Sequence, residues 1–207
     1  FTLLYVSGGA KRVSAASADG PFTAQDLDAA EAAMPEPLFL IRPGDEALDA
    51  ALDARGWCII DPVIAYAAPV VALAAELPGL TAFPHWPPLE IARTLWAEGG
   101  IGPARIAVMD RVTGPKAALL GRTGDRPAGI AFVACHGTDA MLHALEVRET
   151  QRRQGLGRNL LHAAANWAAT QGATRLSLVV TRQNAAARAL YTRLGMQIVG
   201  QYHYRMK

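Results

Sequence analysis

Cysteine is scarce in this chain of 207 residues: Cys58 and Cys135 are too few and too far apart for a zinc-ribbon pattern, and nothing in them demands an oxidising compartment. Both read as buried thiols. His85, His136, His162 and His203 show no metal-ligand spacing with one another, so no metal is expected. An excess of one charge is missing too. Lys and Arg number 20 against 18 Asp and Glu, a formal net charge of +2, which argues against a broad nucleic-acid footprint. No apolar run approaches the ~20 residues of a membrane span, and Phe1 to Val6 is too short and uncharged for a signal peptide. A soluble, cytoplasmic protein is the expectation. Phe1 in place of Met reads as a trimmed form whose first elements are missing. What the chain does have is apolar residues, 51% of the total, enough for one large core or two small ones.

Along the chain, Phe1 to Val6 and Arg12 to Ala16 read as a hairpin around Ser7-Gly8-Gly9, followed by a helix from about Thr23 to Met34. Leu38 to Ile41 is a strand, Asp45 to Arg55 a helix closed by Gly56, and Trp57 to Tyr66 a strand. Pro78 to Pro88, rich in proline and aromatics, reads as a link between two halves, 1–80 and 81–207. In the second half Leu89 to Ala97 is a helix; Ala104 to Met109, Ala117 to Leu120, Ala128 to Ala134 and Met141 to Val147 are strands. A helix from Leu156 to Gly172, a strand from Arg175 to Thr181 and a helix from Asn184 to Gly195 complete the pattern. That order implies an α/β (α+β) fold, with a mixed central sheet flanked by helices.

The most informative stretch runs from Glu146 to Arg158, where a strand ends in a basic, glycine-containing turn that opens a helix. The first N–H groups of a helix lack partners within it and the macrodipole there is positive, so an anion is favoured. Gly155 and Gly157 carry no Cβ to block a pyrophosphate, while Arg152, Arg153 and Arg158 add charge. A Walker loop would need Lys and then Ser or Thr after its second glycine, but Arg158-Asn159 stands there. A dinucleotide fingerprint would need a third glycine where Leu160 stands. An ordinary basic helix start is the bland alternative.

Arg-x-x-Gly-x-Gly after this strand resembles the acetyl-coenzyme A loop of the GNAT acyltransferase superfamily. Asn184-Ala-Ala-Ala-Arg-Ala-Leu-Tyr191-Thr-Arg-Leu-Gly195-Met196 resembles the family's N-x-x-A-x-x-L-Y-x-x-x-G-F/M segment, with Met196 as the last variant. The resemblance covers about residues 85 to 207 and implies the GNAT fold and acetyl-CoA as cosubstrate. It also implies that the strand before the loop splays from the next, leaving a gap for the pantetheine arm. By resemblance, the backbone of Leu145 and Val147 contacts the acetyl and pantetheine amides, Arg152, Arg153, Gln154, Gly155, Leu156, Gly157 and Arg158 hold the pyrophosphate, and Asn184 meets the cofactor arm. The first half repeats the pattern weakly, since Leu38 to Arg42 with its helix and Gly56 mirrors Leu176 to Val180 with its helix and Gly195. It carries Asp53 where Tyr191 lies and lacks the glycine loop. This suggests a partial, degenerate GNAT-like unit without a cofactor; chance likeness is the alternative.

Acetyl transfer needs a neutral amine, stabilisation of the oxyanion and a proton for the departing thiolate. In matching families the residue at Tyr191 protonates the sulfur; the alternative is plain core packing. For the base, strict alternation along the strand puts His143 with Met141, Leu145 and Val147 on one face and Glu146 with Leu142 and Ala144 on the other. His143 to Val147 resembles the H-x-H-A-L-A-V strand of arylalkylamine N-acetyltransferases, with Met141 replacing the first histidine. An imidazole's ordinary pKa of ~6.5 suits proton removal near neutrality. Glu146 is the second candidate. Val179 stands where the N-terminal acetyltransferases related to ribosomal-protein modification carry a Glu, so their mechanism is not copied. Trp86, Tyr202 and Tyr204 are candidates for an acceptor pocket or for core. The expected protein is a monomeric or homodimeric N-acetyltransferase acting on a small amine, an amino acid or a peptide amine. A catalytically silent CoA-binding regulatory or scaffold module is the alternative.

Overall fold

In the computed structural model, which describes residues 1–3 and 14–207, apolar strands and amphipathic helices gather into two units. The first holds residues 1–64, 180–184 and 199–207; the second holds 65–179 and 185–198. The expected turn at Ser7-Gly8-Gly9 lies outside the described residues. Its flanks, β1 (Thr2–Leu3) and β2 (Ala16–Ser17), pair antiparallel.

In the first unit, α1 (Ala24–Ala32) starts at a capping box: the Thr23 hydroxyl accepts from the Asp26 N–H while the Asp26 carboxylate accepts from the Thr23 N–H. β3 (Leu38–Ile41), α2 (Glu46–Ala54) and the start of β4 (Cys58–Pro69) follow as read from the sequence. β3 pairs antiparallel with β10 (Gln197–Met206), Leu38 opposite Met206. Leu27, Phe39, Leu48, Leu52 and Trp57 form the core. Tyr204 is buried beside Ala15 and Leu38, with Tyr202 against it, which makes both tyrosines packing residues of this unit.

α2 is pinned to β10 by charge. Buried Arg205 donates from Nε to Asp49 at 2.7 Å, and from Nη1 to Asp53 at 2.7 Å and to the Trp57 carbonyl at 2.6 Å; His203 Nε2 lies 2.9 Å from Asp49. Hydrogen bonding from Arg205, helped by His203, holds the Asp49 carboxyl below its ordinary 3.8 against the opposing effect of burial. A folded-state value below the unfolded one gives stability that is complete above the unfolded value and is lost as the pH falls through the folded value. Asp49→Ala should therefore lower stability by about 2 kcal/mol at neutral pH, and the gap from the parent should begin to narrow as the pH falls below ~4 and go on narrowing through the depressed folded value. Thermal unfolding at pH 7 and pH 3 checks this; equal midpoints at pH 7 would show the network to be idle.

The second unit carries α3 (Val70–Leu73), β5 (Ala82–His85), α4 (Glu90–Glu98), α5 (Pro103–Asp110), β6 (Lys116–Thr123), β7 (Arg126–His136) and β8 (Asp139–Val147). After a 3-10 turn at Glu149–Gln151 come α6 (Leu156–Thr170), β9 (Arg175–Thr181), whose last two residues belong to the first unit, and α7 (Ala185–Arg193). β5 to β8 form antiparallel neighbours in sequence order, and β9 joins β8 in parallel, so the sheet is mixed as expected. α4 and α5 cover one face through Ala92, Leu95, Trp96, Ile106 and Met109. α6 covers the other, where Leu156 and Leu160 press on Gly121 and Gly129 so closely that a Cβ on Gly129 would stand 3.0 Å from Leu156.

The structure corrects three expectations. Cys135 is buried as expected, but Cys58, the first residue of β4, is exposed. Ala104 to Met109, expected as a strand, lies in helix α5, because Gly102 supplies an extended N-cap and Pro103 the first helical position, with Ile106 and Met109 buried three apart. The segment 78–88, read as a link, contains β5, an edge strand on which Pro84 costs no central ladder bond.

Candidate active site

The site is built on the end of β8. Phe132 lies opposite His143 and Ile130 opposite Glu146, so the two residues Ala144 and Leu145 face the single Ala131. This is a β-bulge. Ala144 takes a left-handed φ of +50°, and the Trp96 indole N–H donates to its carbonyl at 2.9 Å. Because Ile130 and Phe132 share a face, so do Glu146 and His143; the strict alternation that separated them fails at the bulge. The His143 ring lies 6.4 Å from that of Phe132, which in turn lies 5.5 Å from Trp86. Trp86 stands on the same apolar cluster as α4 and α5.

The parallel register of β8 and β9 runs from Asp139↔Arg175 to Leu142↔Leu178 and no further, although β8 continues to Val147. The edge of β8 at Leu145 and Val147 is thus off that ladder. The chain then enters the basic turn. Arg152 donates from Nε to the Val147 carbonyl at 3.1 Å, Arg153 adopts φ +65°, and Gly155 caps α6 at φ +86°, a region that favours glycine. Arg152, Arg153, Gln154 and Arg158 are exposed, whereas the Leu156 side chain is buried, so Leu156 offers a ligand only its backbone. The N–H groups of Leu156, Gly157 and Arg158 open the helix without partners inside it. A Cβ on Gly157 would stand 3.4 Å from Leu190, which brings this helix start beside α7.

α7 presents Tyr191, only 7% exposed, with its ring 5.6 Å from that of Tyr66. Gly195 ends α7 at φ +79°, and the Met196 N–H bonds back to the Tyr191 carbonyl at 3.1 Å. Burial, then the nearby charges of Glu146 and Tyr66, push the Tyr191 phenol up to about 12. Glu146 is half-buried, and its carboxyl is raised above the ordinary 4.5 by burial, with Arg152 and Arg105 partly opposing. An un-ionised phenol and a desolvated carboxyl therefore feel each other beside the basic turn. Asn184 is exposed, one residue before α7, its N–H donating to the Thr181 carbonyl at 3.0 Å. Tyr66, Trp96 and Gly99 were not singled out from the sequence; they act through tertiary contacts that no local spacing announces. Among the described residues no group of three or more His, Cys, Asp or Glu is arranged for a metal, and no helix is long and apolar enough to cross a membrane.

The profile of the acetyltransferase (GNAT) family matches residues 92–196, just over half of the chain. The chain belongs to the GNAT family. Within it, a stretch of 66 residues is 35% identical to the uncharacterized N-acetyltransferase YobR of Bacillus subtilis (strain 168), covering 32% of this chain and 27% of that relative. A GCN5-related N-acetyltransferase from Kribbella flavida superposes with a TM-score of 0.66 at 22% identity, over 94% of this chain and 81% of that one. A functionally unknown conserved protein from Staphylococcus epidermidis ATCC 12228 reaches 0.72 at 14% identity, over 99% and 89%. At these identities the two structures speak for the GNAT fold alone.

Proposed function

We propose that this GNAT unit transfers an acetyl group from acetyl-CoA directly to a primary amine of a small molecule, an amino acid or a peptide. The observation that carries the reading is the bulged edge of β8 leaving its ladder beside the glycine turn, with Tyr191 within electrostatic reach of Glu146. Backbone groups of Leu145 and Val147 suit the thioester and pantetheine amides. The turn from Arg152 to Arg158, with the N-terminal N–H groups of α6, suits the pyrophosphate. The amine nitrogen bonds to the carbonyl carbon, Glu146 takes its proton, and the C–S bond then breaks toward Tyr191. With its pKa at about 12, above a thiol's usual ~8.5, the phenol donates a hydrogen bond to the departing sulfur and does not ionise at rest. His143, which shares that face and lies near the Phe132 ring, is our candidate for meeting the acceptor.

Calorimetry with acetyl-CoA, followed by thiol release over a panel of amines, tests this. One cofactor should bind per chain, more weakly as salt rises, and thiol should appear only with an amine present. Binding without thiol release would favour the silent CoA-binding module; two cofactors per chain would overturn the reading of the first half as cofactor-free. Gly155→Ala should weaken the affinity and also cost ~1 kcal/mol of stability, since a Cβ at φ +86° is strained. Unchanged affinity in that variant would move the phosphate site elsewhere.

A further inference from the structure

The last turn of α4 meets the bulged end of β8 and Arg148 just beyond it. Trp96 holds the Ala144 carbonyl at 2.9 Å; Glu98 takes two hydrogen bonds from Arg148 at 2.7 Å each; Arg148 Nη1 also reaches the Pro127 carbonyl at 3.0 Å. Between these contacts, at residue 146, stands Gly99. Its φ of −84° and ψ of 8° are open to any residue, so the backbone does not call for glycine there. Space does. A Cβ on Gly99 would lie 2.6 Å from Glu146 Cγ, 2.7 Å from Cδ and 2.9 Å from Oε2, while its neighbour Gly100 has open space and owes its identity to φ +78°.

We infer that Gly99 is a positioning residue for acyl transfer: its missing side chain lets the Glu146 carboxyl lie against the C-terminal end of α4, at a height fixed by Trp96 and the Arg148–Glu98 pair. The inference rests on reading Glu146 as the amine's base. A helix C-terminus carries partial negative charge, which disfavours an ionised carboxyl and strengthens it as a base. The other groups facing Glu146 are Arg105 from α5, Arg152 from the turn and Tyr191 from α7, with His143 on its own strand. A methyl group at Gly99 would push the carboxyl off this seat without touching the fold, because Gly99 is exposed and the atoms it meets belong to one flexible side chain.

Gly99→Ala, Glu146→Gln and the double variant form a cycle that tests the inference. Gly99→Ala should stay folded, because rotation of the Glu146 side chain can relieve the clash, and should bind acetyl-CoA unchanged. Its kcat/KM for the amine should fall by ~10²-fold, the scale of a misplaced catalytic group. The acidic limb of its pH profile should move to lower pH as the carboxyl reaches water. In the Glu146→Gln background the same substitution should change kcat/KM by less than ~2-fold. Equal losses in both backgrounds, or no loss and no shift of the limb in the parent background, would overturn the positioning role while Glu146 remained the base. Full activity of Glu146→Gln alone would remove the base reading itself, and the inference with it.

Discussion

Tyr191→Phe is expected to lower kcat by ~10²- to ~10³-fold while acetyl-CoA affinity stays within a factor of about two. The substitution removes one oxygen and keeps the ring that packs 5.6 Å from Tyr66, so the fold has no reason to change. What goes is the proposed donor to the departing sulfur. Because burial holds the phenol un-ionised up to about 12, the parent should show no basic limb from this residue across the range in which the protein is assayed. Steady-state kinetics beside a binding titration separate the two effects. A kcat within a factor of two of the parent would make Tyr191 a packing residue.

Glu146→Gln should have an effect of the same size on kcat/KM, and a different signature. A base works when deprotonated, so activity should rise with pH through the raised value of the Glu146 carboxyl, above its ordinary 4.5. The amide variant should lose that acidic limb and ~10²- to ~10³-fold in rate. An ionised carboxyl opposes folding at a desolvated position, so the variant should be no less stable than the parent at neutral pH. His143→Gln should keep the limb. If the limb survives in Glu146→Gln and disappears in His143→Gln, the base is the histidine, which the bulge sets on the same face.

Much of this architecture is legible in the residues themselves. Thr23, Gly56, Gly155, Gly172 and Gly195 mark helix ends through capping and positive φ, which are local properties. The basic turn and the Tyr191 helix were legible for the same reason: their spacing is their geometry. The segment Ala104 to Met109, apolar apart from Arg105, is short enough to fit two periods, and Gly102-Pro103, the deciding signal, lies just before it. The bulge left no mark. Ala144 takes a left-handed φ without being glycine, held by the Trp96 hydrogen bond from a helix 48 residues away. Nothing in the spacing of residues 141–147 encodes that partner, so strict alternation sets Glu146 and His143 on opposite sides of a strand whose bulge brings them to the same face. Gly99 is silent in sequence for a similar reason, its meaning coming only from the side chain that lies over it.

The most direct measurement follows the acetyl group. In a single turnover, enzyme in excess over acetyl-CoA carrying a labelled acetyl group is mixed with reactive primary amines, quenched over time, and both protein and amine are analysed. Direct transfer predicts label appearing in an N-acetylated amine as thiol is released, in equal amounts, with none on the chain and none released when Tyr191 and Glu146 are both replaced. Label accumulating on the protein before reaching the amine, or acetyl-CoA left intact with every amine despite tight binding, would contradict the account.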